Sequence, residues 1–246
     1  MIEFKNVTKK FGNFVAIKKA SFIVPDKATV ALIGANGSGK TTIMRMISTI
    51  LEPTEGAIEV NGFNTKSQLN DVCKQIGLML GGDATLTKHF TARENIIYFG
   101  RIQNLTKREA EEKADILCQE LKMEDYINKR VETFSRGMRQ KVLLAQSLIH
   151  NPEIILMDEP STGLDIFATI EIQKTIRDLH DKNKIILISS HNMNEIEELC
   201  EYAIVVDKGE ILYSGKIKNL LQNYNATSVK QAFTLLIERK RNIIYQ

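Results

Sequence analysis

The chain has 246 residues, 43% of them hydrophobic and 26% charged, with a formal net charge of +3. This is a normal soluble globular composition, long enough for one large core with a satellite subdomain, and its small charge offers no broad basic field of the kind nucleic acid demands. No apolar run is long enough to span a bilayer, Met1 to Lys5 lacks a signal-peptide pattern, and Cys73, Cys118 and Cys200 are scattered as free thiols of a reducing compartment, packed as small hydrophobes.

Strands are predicted over Ile2 to Val7 and Phe14 to Val24, where β-formers are dense or alternate. Val30 to Ile33 reads as a buried strand and runs into Gly34-Ala35-Asn36-Gly37-Ser38-Gly39-Lys40-Thr41-Thr42. That stretch fits G-x-x-x-x-G-K-[ST], the phosphate-binding loop, in its required strand–loop–helix setting. Glycines let successive N–H groups point at phosphate oxygens, and the helix dipole adds to that field. Lys40 is expected to reach the β- and γ-phosphates and Thr41 to ligate Mg²⁺. The helix is predicted over Thr41 to Leu51, with Ile43, Ile47, Ile50 and Leu51 on one face. Pro53 to Gly56 is a turn, Ala57 to Val60 leads into an Asn61-Gly62 hairpin, and Ile76 to Leu80 is a further short strand.

From Thr91 to His150 the pattern becomes helical. Thr91 to Glu94 and Thr106 to Glu109 both fit a capping box, and Ala110, Ala114, Leu117 and Leu121 form one apolar stripe. Ser135 stands at an N-cap position, making a second helix start that suits an anion, and Asn151-Pro152 ends that helix. Glu153 to Asp158 and Lys184 to Ser189 are near-continuous apolar runs that suit central parallel strands, joined by a crossover helix over Phe167 to Lys182. The first run closes on Asp158 and Glu159, the second is followed by His191, and all three belong at the strand ends where open α/β sheets hold their ligands. Asp158 is positioned to hold Mg²⁺ through water, and Glu159 to orient or deprotonate an attacking water. Ala203 to Asp207 and Glu210 to Tyr213 flank a Lys208-Gly209 hairpin. The tail is helical, with Val229, Phe233, Leu236 and Ile237 on one face, expected to pack on its own subunit. The basic cluster Arg239-Lys240-Arg241 reads as a solvated helix end, with contact to acidic lipid headgroups as the other reading.

Phosphate loop, Ser-x-Gly helix start, apolar strand with Asp-Glu-Pro, Ser161-Thr162-Gly163-Leu164-Asp165 and strand-end His191 follow one another in an order that resembles the ATP-binding subunits of ABC transporters over nearly the whole chain. Phe134 to Val142 and the stretch from Leu86-Thr87 to Asn95 resemble the ABC-2-type exporters, and the ATPase subunits of bacterial sodium exporters in particular. Related subunits drive export of drugs, bacteriocins and polysaccharides.

The resemblance implies a single α/β nucleotide-binding domain over residues 1–246. Its P-loop NTPase core would have a mainly parallel central sheet, an antiparallel β subdomain, an inserted helical subdomain over about residues 85–150 and a helical tail over about 217–246. It implies ATP and Mg²⁺ as ligands and two subunits facing head to tail. Gly34, Ala35, Asn36, Gly37, Ser38, Gly39, Lys40, Thr41 and Thr42 would bind phosphates in cis. Ser135 and Gly137 would meet the γ-phosphate of the opposite site. Phe11 matches the aromatic that stacks on adenine, and Asp165 would lie at the seam. Glu159 would act as catalytic carboxylate, with His191 holding γ-phosphate and water in line. Thr41 and Asp158 would hold the metal. The implied partner is a multi-spanning membrane permease, which places the chain at the cytoplasmic face of the cell membrane, with no nucleic acid involved. The implied output is export of sodium ion or a drug-like molecule; the alternative is a soluble ABC ATPase in cluster assembly.

Two positions depart from the family. The signature Leu-Ser-Gly-Gly-Gln reads Phe134-Ser135-Arg136-Gly137-Met138, which keeps the serine and second glycine. The Gln that normally follows the Ile76-Gly77 strand is Gly81, and Asp83, or water, is expected to substitute for it at the metal.

Overall fold

The computed structural model describes residues 1–81 and 85–244, with side chains up to residue 240. Strands β1 (Ile2–Phe11) and β2 (Phe14–Val24) pair antiparallel through a Gly12-Asn13 turn. On its other side β1 pairs with β4 (Glu55–Val60), which turns back through Asn61-Gly62 into β5 (Phe63–Asn64). The sheet order is β2-β1-β4-β5. Phe4 stacks on its cross-strand partner Phe22 at 4.2 Å between ring centroids, inside the core beneath this sheet. Strand β1 runs past Val7, where the apolar pattern stops, because its backbone ladder to β2 continues to Phe11↔Phe14. A ladder needs only peptide groups, so composition does not mark its end.

The larger sheet contains β3 (Thr29–Ile33), β6 (Ile76–Met79), β7 (Ile154–Asp158), β8 (Ile185–Ser189), β9 (Tyr202–Asp207) and β10 (Glu210–Lys216), in the order β10-β9-β3-β8-β7-β6. All neighbours are parallel except β9 and β10, which form the hairpin through Lys208-Gly209. Alternation along each strand feeds two cores. Ile154, Leu156, Ile185 and Leu187 face the antiparallel sheet, while Ile155, Met157, Ile186 and Ile188 face the helices.

Helix α1 (Lys40–Ile47) follows β3 and stops short of the Leu51 expected from the pattern. Ser48 leaves the helical region, Thr49 adopts a left-handed φ of 64°, and Ile50 is exposed. A short helix α2 (Leu69–Gln75), with Val72 buried, precedes β6 and carried no clear periodicity. Helices α3 (Ala92–Ile102), α4 (Lys107–Glu120) and α5 (Arg136–Leu148) pack as a block between β6 and β7. Both capping boxes form, from Thr91 with Glu94 and from Thr106 with Glu109, and Ala110, Ala114, Leu117 and Leu121 are all buried. Helix α6 (Ile166–Asp181) crosses over to β8 and α7 (Met193–Leu199) to β9.

Helices α8 (Ile217–Asn223) and α9 (Val229–Ile244) close the far side, with Val229 and Leu236 buried and Phe233 and Ile237 half-buried against the same core. Lys240 is no solvated helix end: its ammonium lies 3.2 Å from Asp207 and 2.8 Å from Glu210, which draws it onto the β9–β10 hairpin. The three cysteines are free, but Cys73 is exposed rather than packed, because it faces out of the short helix α2. The whole is an α/β fold with a mainly parallel central sheet, an antiparallel sheet and a helical insertion, as the motif order implied.

Gly77 lets β6 approach α5 closely. A Cβ there would stand 2.1 Å from the Ser147 carbonyl oxygen and 2.8 Å from Pro152 Cγ. Backbone cannot yield as a flexible side chain can, so Gly77→Ala is expected to lower unfolding stability by about 2–3 kcal/mol. Chemical denaturation of the purified chain reads this, and an unchanged midpoint would show that α5 shifts freely.

Candidate nucleotide site

Strand β8 lies between β3 and β7, so three carboxyl-terminal strand ends stand side by side. Asp158 pairs in register with Ser189, and Ser189 with Leu32. Thr41, at the start of α1, donates its hydroxyl to Asp158 Oδ2 at 2.8 Å, and Ser189 donates to the other oxygen, Oδ1. The phosphate loop and the Asp158 strand end are thereby joined directly. Ser189 is fully buried and also accepts from the Glu159 N–H at 3.1 Å.

Lys40 is 6% exposed and donates to the carbonyls of Gly34 at 2.7 Å and Ala35 at 3.2 Å. Burial pushes its ammonium down from the usual lysine range, while Glu159 and Asp158 pull it back up. The loop wraps tightly at Gly39, whose φ is 117° and where a Cβ would meet Ile17 Cδ1 at 2.6 Å. At Gly34 a Cβ would meet the Val206 carbonyl oxygen at 2.3 Å, so the loop rests directly on β9.

Glu159 has a left-handed φ of 53°, which costs a non-glycine residue of order 1–3 kcal/mol. The surroundings enforce it: the Glu159 N–H donates to the Ser189 carbonyl at 3.0 Å and Thr162 donates to Glu159 Oε2 at 3.1 Å. His191 Nδ1 lies 3.4 Å from the same Oε2. The carboxylate is thus turned to the head of the phosphate loop with an imidazole beside it.

A groove of about 500 Å³ opens over Asn36, Gly37, Gly39 and Lys40, with Glu159 at one wall and Phe11 and Phe14 at its mouth. Phe11 is 46% exposed and so does not belong to the core; the Lys9 ammonium sits 5.0 Å from its ring centroid. Ser135, Gly137 and Asp165 do not line this groove. They form a second cluster where the starts of α5 and α6 meet. Ser135 caps α5 by accepting from the Met138 N–H at 3.3 Å, and Asp165 caps α6 by accepting from the Ala168 N–H at 2.9 Å. A Cβ on Gly137 would stand 3.1 Å from Ala168 Cβ, and the Arg136 guanidinium covers Gly163. Gly81 lies near the Asp158 carbonyl, whereas Asp83 lies outside the described residues.

The donor set suits Mg²⁺. A Thr41 hydroxyl whose proton is held by Asp158 keeps its lone pairs for a hard cation, and two oxygens are the usual protein share when phosphates complete the shell.

Residues 17–162 match the ABC transporter family. The chain belongs to that family. It is 41% identical over 218 residues to the ABC transporter ATP-binding protein NatA of Bacillus subtilis, covering 89% of each chain. It is 33% identical over 232 residues to a Nod factor export ATP-binding protein I of Mesorhizobium japonicum, covering 94% of this chain and 68% of that one. Among solved structures, the ATP-binding cassette MJ0796, a dimer in a post-hydrolysis state with ADP and Pi, superposes with a TM-score of 0.80 at 26% identity, covering 88% of this chain and 99% of that one. As an ABC transporter subunit, this cassette binds and hydrolyses ATP.

Three residues of the cassette's site had no role assigned from the sequence: Phe14 at the groove, Ser189 on Asp158, and Thr162 on Glu159. Ser189 was the one polar residue ending an apolar strand, which was a usable signal. Thr162 lies inside the Ser161-to-Asp165 motif, but its bond to Glu159 shows only in the folded chain, and Phe14 looks like any strand residue until the fold sets it at the groove.

Proposed function

We propose that this cassette powers export through a multi-spanning permease at the cytoplasmic face of the cell membrane, with sodium ion or a drug-like molecule as cargo. One observation carries the reading. The cis groove and the Ser135, Gly137 and Asp165 cluster are both well formed but separate within one chain. A second copy set head to tail would bring each cluster over the other's groove, so ATP would bridge two chains and hydrolysis would remove the bridge. Among the described residues no helix is long and apolar enough to cross a membrane. The 1–246 domain, with its helical subdomain over about 85–150 and tail over about 217–246, would act as the moving part.

Glu159 would accept the proton of the attacking water, and His191 would hold that water and the γ-phosphate in line. Lys40 and the loop N–H groups of residues 34–42 would bind the phosphates, and Phe11 would stack on adenine. Thr41 and Asp158 would hold Mg²⁺, which neutralises phosphate charge when bound. Support for export comes from the Nod factor export relative and from the signature Phe134 to Val142.

Tagged chain purified from membranes in mild detergent is expected to bring down a multi-spanning protein in stoichiometric amount. Recovery as a soluble ATPase with no such partner would remove the transport assignment and leave the ATP chemistry standing.

A further inference from the structure

Glu195, in α7, is 3% exposed. Ser161 donates its hydroxyl to Glu195 Oε1, and Ser190 donates to Oε2 at 2.7 Å. Ser190 is itself 4% exposed and accepts from the Asn192 N–H at 3.0 Å. A buried carboxylate is expensive unless its oxygens are hydrogen-bonded. What the carboxylate adds is two acceptor oxygens that join two separate chain segments. Ser161 sits between Glu159 and Asp165, and Ser190 immediately precedes His191.

We propose that Glu195 is a positioning residue that clamps the Glu159-to-Asp165 segment to the His191 segment, so that the carboxylate and the imidazole keep their 3.4 Å contact and move as one unit. The segment ending at Asp165 therefore has a rigid route to His191. A shift of Asp165 against a second copy is carried through Ser161 and Glu195 to the imidazole, and not through the phosphate loop. The inference rests on the roles proposed above for Glu159 and His191.

The test compares ATP turnover and nucleotide binding of the full chain with those of Glu195→Gln, Ser161→Ala and the double variant. An amide oxygen accepts from only one of the serines, and its NH2 can hold the other only with the bond reversed, which weakens the clamp, so Glu195→Gln is expected to lower kcat about tenfold while KM and Mg·ATP affinity stay within about twofold. Ser161→Ala, a smaller change, is expected to show the same split, and the double variant to fall no further than Glu195→Gln alone. Unchanged kcat in Glu195→Gln, or losses that multiply in the double variant, would overturn the clamp. So would a loss of binding equal to the loss of turnover. Glu159→Gln in the same assay separates the two levels: if it hydrolyses ATP normally, the assignment of Glu159 fails whatever Glu195 does.

Discussion

Glu159→Gln is expected to leave ATP bound and to stop its turnover. The substitution keeps the shape of the side chain, and an amide oxygen can still accept from Thr162, which now lies 3.1 Å from Glu159 Oε2. The left-handed backbone, held by Ser189 through the Glu159 N–H, does not depend on the carboxylate charge. What disappears is the proton acceptor at the wall of the groove. Loss of a positioned general base lowers kcat by roughly 10²- to 10⁴-fold, and the phosphate-binding groups are untouched. Phosphate release and equilibrium binding of a fluorescent ATP analogue, measured side by side, read the split. A variant that still hydrolyses ATP at near the parent rate would take Glu159 out of the role of base.

Lys40→Ala should instead be seen in binding. Lys40 is 6% exposed, and among the described residues its ammonium donates to the carbonyls of Gly34 and Ala35, inside the cradle that phosphates would fill. Burial lowers the pKa of this ammonium while Glu159 and Asp158 oppose that, so an anionic ligand beside it would offset the desolvation of its charge. Truncating one side of a desolvated charge pair costs about 2–5 kcal/mol, so nucleotide affinity should fall roughly thirtyfold or more. Folding should survive, because the loop is also braced on β9 and by the Ser38 carbonyl, which accepts from the Gly209 N–H at 2.9 Å. Unchanged ATP affinity in a folded Lys40→Ala chain would mean that the loop does not hold phosphate.

Much of this molecule follows from local sequence. Loop Gly34 to Thr42 can be recognised without a fold, since its glycines, lysine and threonine occupy set offsets dictated by phosphate geometry. The capping boxes at Thr91 and Thr106 each lie within four consecutive residues and form as their spacing dictates. Strands β7 and β8 declare themselves because a strand covered on both faces must be apolar throughout. Element ends were less legible. Helix α1 stops at Ile47, where Ser48 leaves the helical region and Thr49 turns left-handed, and Lys240 leaves solvent because Asp207 and Glu210 wait on a hairpin distant in sequence.

Local residue patterns carry the chemistry present: a phosphate loop, two carboxylates after one strand and a histidine after another. How these groups meet depends on the order of strands in the sheet. Placing β8 between β3 and β7 sets Ser189 against Asp158, brings Thr41 within 2.8 Å of that carboxylate and turns Glu159 toward His191. It also leaves Ser135, Gly137 and Asp165 away from the groove, facing outward from the starts of α5 and α6. Strand order is a long-range property, set by which apolar faces bury against which, and no window of adjacent residues contains it.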